Sequence, residues 1–490
     1  MSQALIILIC IFFAVITSIA SAADYPALHD YKGDSSQWGK HIQRTMHLLE
    51  TSTPEKPNKV RILFYGQSIM GGRWHKHVET WLREKYPYAD LEIENRALGG
   101  FAAQYLVWPA EHDLYPFYPD LMIFHVYGDH MRYEEIIHNT RQRTTAEVMI
   151  MTDHWNRKAY VDGEYKISDW GRFYDEKVLP FVAKRYDCEL VDVLHPWREY
   201  LEQNKLEPGD VLKDNVHLND HGLWLMAELC IRQMVYRPEL MTDTSKSLVK
   251  DYRIGGDVKL EDGRISLGFE GNRVDLISNS AGTAGFQVLL DGKAPSSYSD
   301  FYAFTRPTGV IPPDSWPSIY RVDSQALPLV EDWTAEILSI EEDHSKLTFK
   351  LTGTRTGEDG EGSSEEDFVS KSGRVAIESE NWGVERSWKL KQVPAKAGMK
   401  IDWSCVPYFV DVYTPPTALG KESAVTLFQG GARRQATLEL IARGDISEAV
   451  HTIRVYCPPV PAGEFKHMGL TPNMQGEPDF SEIIKPDLDK

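Results

Sequence analysis

Residues 59–72 read KVRILFYGQSIMGG. The apolar run Val60–Tyr65 has the length and composition of a buried strand, and Gly66 marks the turn that follows it. A serine at a turn between a strand and a helix can expose its hydroxyl while its backbone N–H faces the same site. A Gly-x-Ser turn by itself is common and usually structural, so the pattern around Ser68 decides its significance.

Short apolar runs alternate with longer amphipathic stretches from about residue 59 to residue 234. This alternation predicts an α/β fold with a doubly wound parallel sheet flanked by helices, in which functional residues collect at the carboxyl ends of the strands. The predicted strands are Val60–Tyr65, Leu91–Asn95, Leu121–Val126, Val148–Met151 and Leu190–Val193. The predicted helices are His75–Lys85, Glu134–Arg143, Asp169–Tyr186 and Asn219–Val235.

The second half of the chain has a different pattern. Arg237–Lys250 reads as a polar linker, and short alternating runs separated by turn residues follow it, which predicts an all-β sandwich or jelly roll. A length of 490 residues also favours two domains, predicted at residues 23–240 and 251–490. The Gly-, Ser- and Glu-rich stretch Thr356–Glu366 is predicted to be a mobile loop. The main predicted β runs are Val258–Leu260, Ile265–Phe269, Phe286–Leu290, Leu347–Leu351, Val375–Ile377, Ala424–Phe428, Ala436–Ile441 and Val450–Tyr456.

Composition narrows the possible partners. The chain is 42% hydrophobic and 26% charged, which is typical of a globular protein, and its formal net charge is −19. Nucleic acids and anionic membrane surfaces bind positively charged faces, so this balance argues against both.

The amino-terminal residues predict a signal peptide over residues 1–22. Leu5–Ile16 is an apolar run too short to span a bilayer, and Ala20 and Ala22 fit an A-x-A cleavage site, although Met1–Ala4 contains no Lys or Arg. We therefore expect a secreted or periplasmic protein without a membrane span in its mature form.

Removal of the leader leaves Cys188, Cys230, Cys405 and Cys457. Pairing within each domain and four separate buried thiols are both compatible with export.

Two further segments follow the pattern of the first. Gly100 lies shortly after the predicted strand that ends at Asn95, where a glycine lets the backbone approach a substrate and offer an N–H donor. Asp214 and His217 stand three residues apart before a predicted helix. An Asp at this distance can orient the imidazole that removes a proton from a serine.

In their order and spacing these segments resemble the SGNH (GDSL-like) hydrolase superfamily over roughly residues 59–235. The Gly-Gln-Ser version of the first block, with Met70 two residues after the serine, is similar to sugar O-acetylesterases of that superfamily. The resemblance implies a serine esterase without a cofactor. Together with the predicted leader and the appended β region, the Gly-Gln-Ser block favours an exported enzyme that acts on an O-acetylated carbohydrate. It implies a catalytic triad of Ser68, Asp214 and His217, and an oxyanion hole built from the N–H groups of Ser68 and Gly100.

One position departs from the family pattern. The family has an Asn that donates to the oxyanion after its third strand, and this chain has Asp129 there. An ionised carboxylate only accepts hydrogen bonds. Asp129 could be held protonated by burial, or it could point away and cost about 3 kcal/mol, roughly a hundredfold in rate. A third possibility is different chemistry, either a glycosidase that uses Asp129 with Asp214 or Asp153, or a carbohydrate-binding protein with a degenerate site.

Several other polar residues are candidates for substrate binding. Arg73 follows the serine turn, His130 follows Asp129, and Asp153 and His154 follow the fourth predicted strand, although helix capping and surface positions explain such residues equally well. No metal is expected, because the His217 and His221 spacing has no second ligand cluster. The tryptophans of the second half could form platforms for sugar rings or a sandwich core. These tryptophans are Trp316, Trp333, Trp382, Trp388 and Trp403.

Overall fold

The computed structural model describes residues 25–31, 33–278, 285–309, 316–415, 422–444, 450–467 and 469–470. The predicted signal peptide, residues 1–22, lies outside these residues. No helix in the described ranges is both long and apolar enough to cross a membrane.

The first half of the chain forms a parallel sheet flanked by helices, which confirms the predicted α/β class. Its strands are β1 (Lys59–Gly66), β2 (Asp90–Asn95), β3 (Leu121–His125), β4 (Glu147–Met151) and β7 (Glu189–Val191), and a small hairpin is formed by β5 (Tyr160–Val161) and β6 (Glu164–Tyr165). The helices are α1 (Gln43–Glu50), α2 (Trp74–Lys85), α3 (Ala103–Leu106), α4 (Ala110–Asp113), α5 (His130–Arg143), α6 (Asp169–Phe173), α7 (Leu179–Tyr186), α8 (Leu194–Asn204), α9 (Pro208–Val211), α10 (Asp220–Ile231) and α11 (Asp243–Ser247).

The predicted long helix Asp169–Tyr186 is helical throughout but contains a π-helical turn, Tyr174–Val178, between α6 and α7. Pro180, the second residue of α7, has no N–H to donate, which favours a local change in the hydrogen-bond ladder. Helices α1 and α8 were not predicted, although Leu194, Trp197 and Leu201 of α8 recur at helical spacing and are buried.

The strand order places the predicted site. The parallel sheet runs β2-β1-β3-β4-β7 in the described part of the chain. The chain leaves β1 to form β2 on one side and then returns to form β3 on the other. Ligand sites in doubly wound sheets lie at the carboxyl ends of strands where the order reverses in this way. Ser68, Gly100 and Asp129 follow the ends of β1, β2 and β3 and therefore belong to this edge.

The second half forms antiparallel sheets, which confirms the predicted all-β region. Its strands are β8 (Val249–Arg253), β9 (Leu260–Glu261), β10 (Arg264–Ser278), β11 (Gly285–Leu290), β12 (Tyr302–Phe304), β13 (Glu331–Ile340), β14 (Leu347–Gly353), β15 (Gly357–Ser363), β16 (Phe368–Val369), β17 (Ala376–Ile377), β18 (Lys400–Pro407), β19 (Val412–Tyr413), β20 (Ser423–Arg443) and β21 (Val450–Tyr456). In the described ranges one sheet has the order β19-β11-β20-β10-β21-β8, with β9 on β10, and another has the order β12-β18-β13-β14-β15. The helix α12 (Val384–Lys391) interrupts the strands.

The prediction of a mobile loop over Thr356–Glu366 is wrong, because strand β15 occupies most of it and pairs with β14. Backbone pairing does not require apolar side chains, and Phe349 and Phe368 pack within about 3 Å of the position that a Cβ on Gly362 would take. Asp359 is buried and accepts hydrogen bonds from the backbone N–H and the hydroxyl of Ser372. Composition alone cannot show these tertiary contacts.

The two halves share buried contacts. The apolar cluster that contains Phe101 and Leu106 continues into Trp316, Ile319 and Trp333 of the second half. The guanidinium of Arg306 also binds the carboxylate of Asp113 at 2.6 Å, with both groups largely buried.

The polar stretch predicted as a linker is ordered, because the Ser245 hydroxyl donates to the Glu147 carboxylate at 2.7 Å. The exact domain boundary stays a prediction.

Of the two open possibilities for the cysteines, the structure shows free thiols. Cys188, Cys230 and Cys405 are buried and Cys457 is partly buried. Burial raises the pKa of Cys188, Cys230 and Cys405 to about 12, so these groups are protonated, unreactive thiols at neutral pH.

Candidate active site

The turn after β1 presents Ser68. Gly66 has a φ of +148°, and a Cβ at this position would lie 2.0 Å from the carbonyl oxygen of His125, so only glycine allows the turn to pass so close to β3. The N–H of Gly71 donates to the carbonyl of Gln67 at 2.9 Å and closes the next turn. Ser68 is thereby held half-buried at the open edge of the sheet.

The three predicted triad residues form one connected chain of hydrogen bonds. The Ser68 Oγ lies 3.1 Å from Nε2 of His217, and Nδ1 of the same imidazole lies 2.8 Å from Oδ2 of Asp214. The other carboxylate oxygen of Asp214 accepts from the backbone N–H groups of Val216 and His217, both at 2.8 Å. The carboxylate therefore shapes its own loop and orients the imidazole.

Electrostatics keep Asp214 ionised. The backbone N–H of His217, then that of Val216 and then the imidazole itself donate to this carboxylate and hold the pKa of Asp214 well below its usual range. Asp214 and His217 have side chains 51% and 42% exposed, so the pair is open to a substrate from solvent. An ionised Asp next to Nδ1 keeps the proton on that nitrogen and leaves Nε2 free to accept the serine proton.

The turn after β2 lies against the serine. A Cβ built on Gly99 would be 3.7 Å from the Ser68 Cβ. Gly100 follows with a φ of +84°, which favours glycine. The side chain of Asn95 connects the two turns, because its amide donates to the carbonyl of Met70 at 2.7 Å and its oxygen accepts from the N–H of Ala97 at 3.0 Å.

Asp129 serves as a helix cap in the structure. One oxygen of its carboxylate accepts from the backbone N–H groups of Met131 and Arg132 at the start of α5, at 2.9 and 3.1 Å. Asp is a favourable N-cap residue, and its charge complements the positive end of the helix dipole. Of the three possibilities left open for Asp129, this geometry favours the one in which the carboxylate is engaged elsewhere and does not donate to an oxyanion.

Asp153 and His154 lie beneath the loop that carries the imidazole. His154 is 2% exposed, and its Nε2 donates to the carbonyl of Val216 at 2.7 Å. Asp153 accepts from Nε2 of His125 at 3.2 Å and from the backbone N–H of His154 at 3.1 Å. The buried position of His154 gives it a structural contact with the loop between Asp214 and His217 rather than a surface for substrate.

The same cluster contains two carboxylates with opposite shifts. Burial opposes the ionisation of Asp153, but hydrogen bonds from His125 and His154 outweigh it and hold its pKa well below the usual range. Burial, and then the negative charge of Asp153, raise the pKa of Asp175 to about 7. Asp175 contacts the cluster through the Asp153 backbone N–H, which donates to it at 3.0 Å.

The remaining predicted residues are more distant from the chemistry. Arg73 has a side chain 82% exposed beyond the serine turn, where it can meet a substrate. His130 donates through Nε2 to the carbonyl of Leu470 at 2.9 Å, so its ring is occupied by the carboxyl-terminal segment. His221 stacks on Tyr25 with ring centroids 4.3 Å apart, which fits the structural role expected for it. Within the described ranges, no group of three or more His, Cys, Asp and Glu side chains is arranged to hold a metal ion.

Sequence reasoning missed Gln67 and Arg386 and did not place Trp316, one of the candidate platforms, beside the serine. Gln67 places its side-chain oxygen 3.3 Å from the Ser68 hydroxyl. From the second half of the chain, Trp316 packs against Gly100 and Arg386 donates to the carbonyl of Gly100 at 2.6 Å. No local pattern around Trp316 or Arg386 could have indicated this, because their role depends on how the two halves dock.

Comparison with known proteins finds structural likenesses only. No protein-family model and no curated protein matches the chain. A two-domain esterase (CEX) active on acetylated mannans is similar at 13% identity over 85% of this chain and 95% of that chain, with a TM-score of 0.33. The crystal structure of the same esterase with mannopentaose is similar at 14% identity over 89% of this chain and 100% of that chain, with a TM-score of 0.34. Axe2, an acetylxylan esterase from Geobacillus stearothermophilus, is similar at 17% identity over 39% of this chain and 100% of that chain, with a TM-score of 0.32. Likenesses this distant do not establish the activity of this chain.

Proposed function

We propose that this protein is an exported serine esterase of the SGNH type that removes acyl groups, most simply O-acetyl, from a carbohydrate. The observation that supports the chemistry is the continuous hydrogen-bonded chain from Asp214 through His217 to Ser68. It lies at the carboxyl edge of a parallel sheet, next to a Gly-Gly turn that can offer a backbone N–H. These are the parts that acyl transfer through a serine requires.

The mechanism follows from the hydrogen bonds. Nε2 of His217 takes the proton of the Ser68 hydroxyl as Oγ attacks the ester carbonyl, and Asp214 stabilises the imidazolium that forms. The imidazolium then gives this proton to the leaving sugar oxygen as the C–O bond breaks, which leaves an acyl group on Ser68. Water, deprotonated by His217, attacks the acyl carbon and releases the acid and the free serine. The backbone N–H groups of Ser68 and Gly100 are the proposed donors to the oxyanion.

The substrate class rests on two sequence features and on the shape of the site. The Gly-Gln-Ser block resembles that of sugar O-acetylesterases, and the predicted leader would bring the protein into contact with extracellular carbohydrate. The triad is half exposed, with Arg73 and the 48% exposed ring of Tyr127 at the same sheet edge. An open rim with polar and aromatic groups suits a bulky, hydroxyl-rich substrate.

The two rival functions have weaker support. A glycosidase needs one carboxyl that is protonated and can donate, whereas hydrogen bonds hold the pKa values of Asp214 and Asp153 below their usual range. Asp129 is engaged as the cap of α5. A degenerate binding site would be indicated by a serine without its imidazole, whereas Ser68 and His217 are in hydrogen-bond contact.

The decisive experiment is acetate release from acetylated oligosaccharides and p-nitrophenyl acetate by the wild type, Ser68→Ala and His217→Ala. We expect both variants to lose activity by more than a thousandfold while they keep the wild-type melting temperature. Equal activity of Ser68→Ala and the wild type would overturn the proposal. Release of reducing sugar from the same oligosaccharides that is lost in Asp129→Ala and kept in Ser68→Ala would favour the glycosidase.

The chain offers a matched control for the imidazole. His195 lies three residues after Asp192, and its Nδ1 bonds that carboxylate at 2.9 Å, as in the Asp214–His217 pair. Its side chain is 64% exposed. It follows β7, the edge strand of the sheet, which is separated from β1 by β3 and β4. We expect His195→Ala to retain full activity, so a loss in His217→Ala alone ties the effect to the contact with Ser68.

A further inference from the structure

The turn Leu98–Phe101 lies beside the serine and carries the proposed oxyanion donor. The N–H of Phe101 donates to the carbonyl of Leu98 at 3.0 Å, which closes a four-residue turn. Gly100 is the third residue of this turn, and its φ of +84° is the value that a type II turn requires there. Two successive glycines are the most permissive pair in a protein chain, so this turn can easily change its conformation.

The place of this turn relative to Ser68 is what matters for the chemistry. Its central peptide joins Gly99 to Gly100 and contains the N–H proposed to bind the oxyanion. A turn free to move away from Ser68 would lose the fixed position of this dipole, and fixed dipoles provide most of the stabilisation in such sites.

Two side chains from the second half of the chain hold this turn. Arg386, on α12, donates from Nη2 to the carbonyl oxygen of Gly100 at 2.6 Å. Its guanidinium lies 4.0 Å above the ring of Tyr105 and 5.2 Å from that of Trp316, which limits its own movement. Trp316 also contacts the turn, because a Cβ on Gly100 would lie 3.1 Å from its Cζ2 atom.

These contacts restrain both ends of one peptide group. The peptide between Gly100 and Phe101 has its carbonyl bound by Arg386 and its N–H bound by Leu98. Fixing this plane holds the carboxyl-terminal side of the turn in place, and Trp316 packs against the Cα of Gly100. The position of Gly100 beside Ser68 is thereby set before substrate arrives.

We propose that Arg386 is a positioning residue that fixes the Gly100 turn, so that the β-rich half completes the esterase site. The inference rests on the proposed function, because it assigns a role to a turn that matters only if Ser68 forms an acyl-enzyme. Arg386 acts through the backbone of Gly100 and not on the reacting atoms. The β-rich half is therefore part of the catalytic unit and not an independent sugar-binding module.

The test uses the full chain with Arg386→Met and Arg386→Lys. Met keeps an apolar stem over Tyr105 and removes the donor, whereas Lys keeps a charge and one donor. The matched control is Lys389→Met, which removes a cation from the same helix, where Lys389 pairs with Glu385 on the exposed face. The substrate is p-nitrophenyl acetate, whose small size reduces contributions from distant sugar contacts.

We expect Arg386→Met to lower kcat by roughly ten- to a hundredfold, less than removal of a donor itself, with KM little changed. Arg386→Lys should keep an intermediate kcat, and Lys389→Met should match the wild type. A second measurement is inhibition by phenylboronic acid, which forms a tetrahedral adduct on a catalytic serine. Its inhibition constant should rise by the same factor as kcat/KM falls, because both depend on the oxyanion donors.

Other outcomes overturn the inference in distinguishable ways. If Arg386→Met has wild-type kcat and boronate affinity while Ser68→Ala is inactive, the positioning role is wrong and the esterase proposal stands. A rise in KM alone would make Arg386 a substrate-binding residue. A loss of kcat in both variants that matches their unfolded fraction in thermal melts would make the contact a purely stabilising one. Full activity in Ser68→Ala would refute the esterase proposal and this inference together.

Discussion

The replacement Asp214→Asn tests the proposed mechanism most directly, because the structure fixes how the new side chain must sit. The backbone N–H groups of Val216 and His217 both donate to one oxygen of Asp214, at 2.8 Å. An Asn must turn its oxygen towards these two donors, since its NH2 group would oppose them. Its NH2 then faces Nδ1 of His217, which Asp214 contacts at 2.8 Å.

This orientation forces the imidazole into the wrong tautomer. Nδ1 must accept the hydrogen bond from the Asn, so the proton moves to Nε2, which lies 3.1 Å from Ser68 Oγ. A protonated Nε2 cannot take the serine proton. The expected loss of kcat is about 10⁴-fold, as for the equivalent change in a serine protease triad, or about 5.5 kcal/mol of transition-state stabilisation.

The assay is the hydrolysis of p-nitrophenyl acetate at saturating substrate, with thermal melts of each variant. Because the backbone hydrogen bonds persist and the side chain is exposed, Asp214→Asn should melt within a few degrees of the wild type. Asp192→Asn, which alters the similar Asp192–His195 pair, should retain full kcat. A kcat of Asp214→Asn within tenfold of the wild type would refute the assignment of Asp214 as the orienting carboxylate.

Four further outcomes are expected. Gly100→Ala should lower kcat by roughly ten- to a hundredfold, because a residue with a Cβ pays about 1–2 kcal/mol for a φ of +84° and this Cβ would crowd Trp316. Wild-type activity in the ester assay would contradict this. His154→Leu leaves the Val216 carbonyl without its donor, at a cost of about 1–3 kcal/mol, so kcat should fall; an unchanged kcat would argue against loop positioning. Asp175→Asn should raise the melting temperature more at pH 8 than at pH 4. The pKa of Asp175 is about 7 in the folded protein and 3.8 for an ordinary Asp, so wild-type stability falls as the pH rises between these values; equal shifts at both pH values would contradict this. A thiol reagent should titrate four thiols in the mature protein when it is denatured without a reductant, and few in the folded protein. Fewer than four reactive thiols in the denatured protein would indicate disulfides.

Local patterns predicted most of the first half and much of its site. Buried parallel strands are continuous apolar runs, so β1, β3 and β4 were recognisable from composition and length. The Asp214–His217 pair could be predicted because a three-residue spacing on one loop brings the two side chains together regardless of the rest of the fold. β15 was missed, because its pairing depends on a neighbouring strand and on Phe349 and Phe368 and not on its own composition.

The strand-and-turn frame that carries Ser68 and the loop that pairs Asp214 with His217 can be derived from local sequence, because both follow from short-range geometry. The contact between the serine and the imidazole, across 149 positions of sequence, and the use of Asp129 as a helix cap emerge only in the folded chain. The same holds for Arg386, which is separated by 286 positions from Gly100 and reaches the turn beside the nucleophile. Contacts of this range depend on how packed elements dock, and the free energy of docking is spread over many buried side chains that no single motif records.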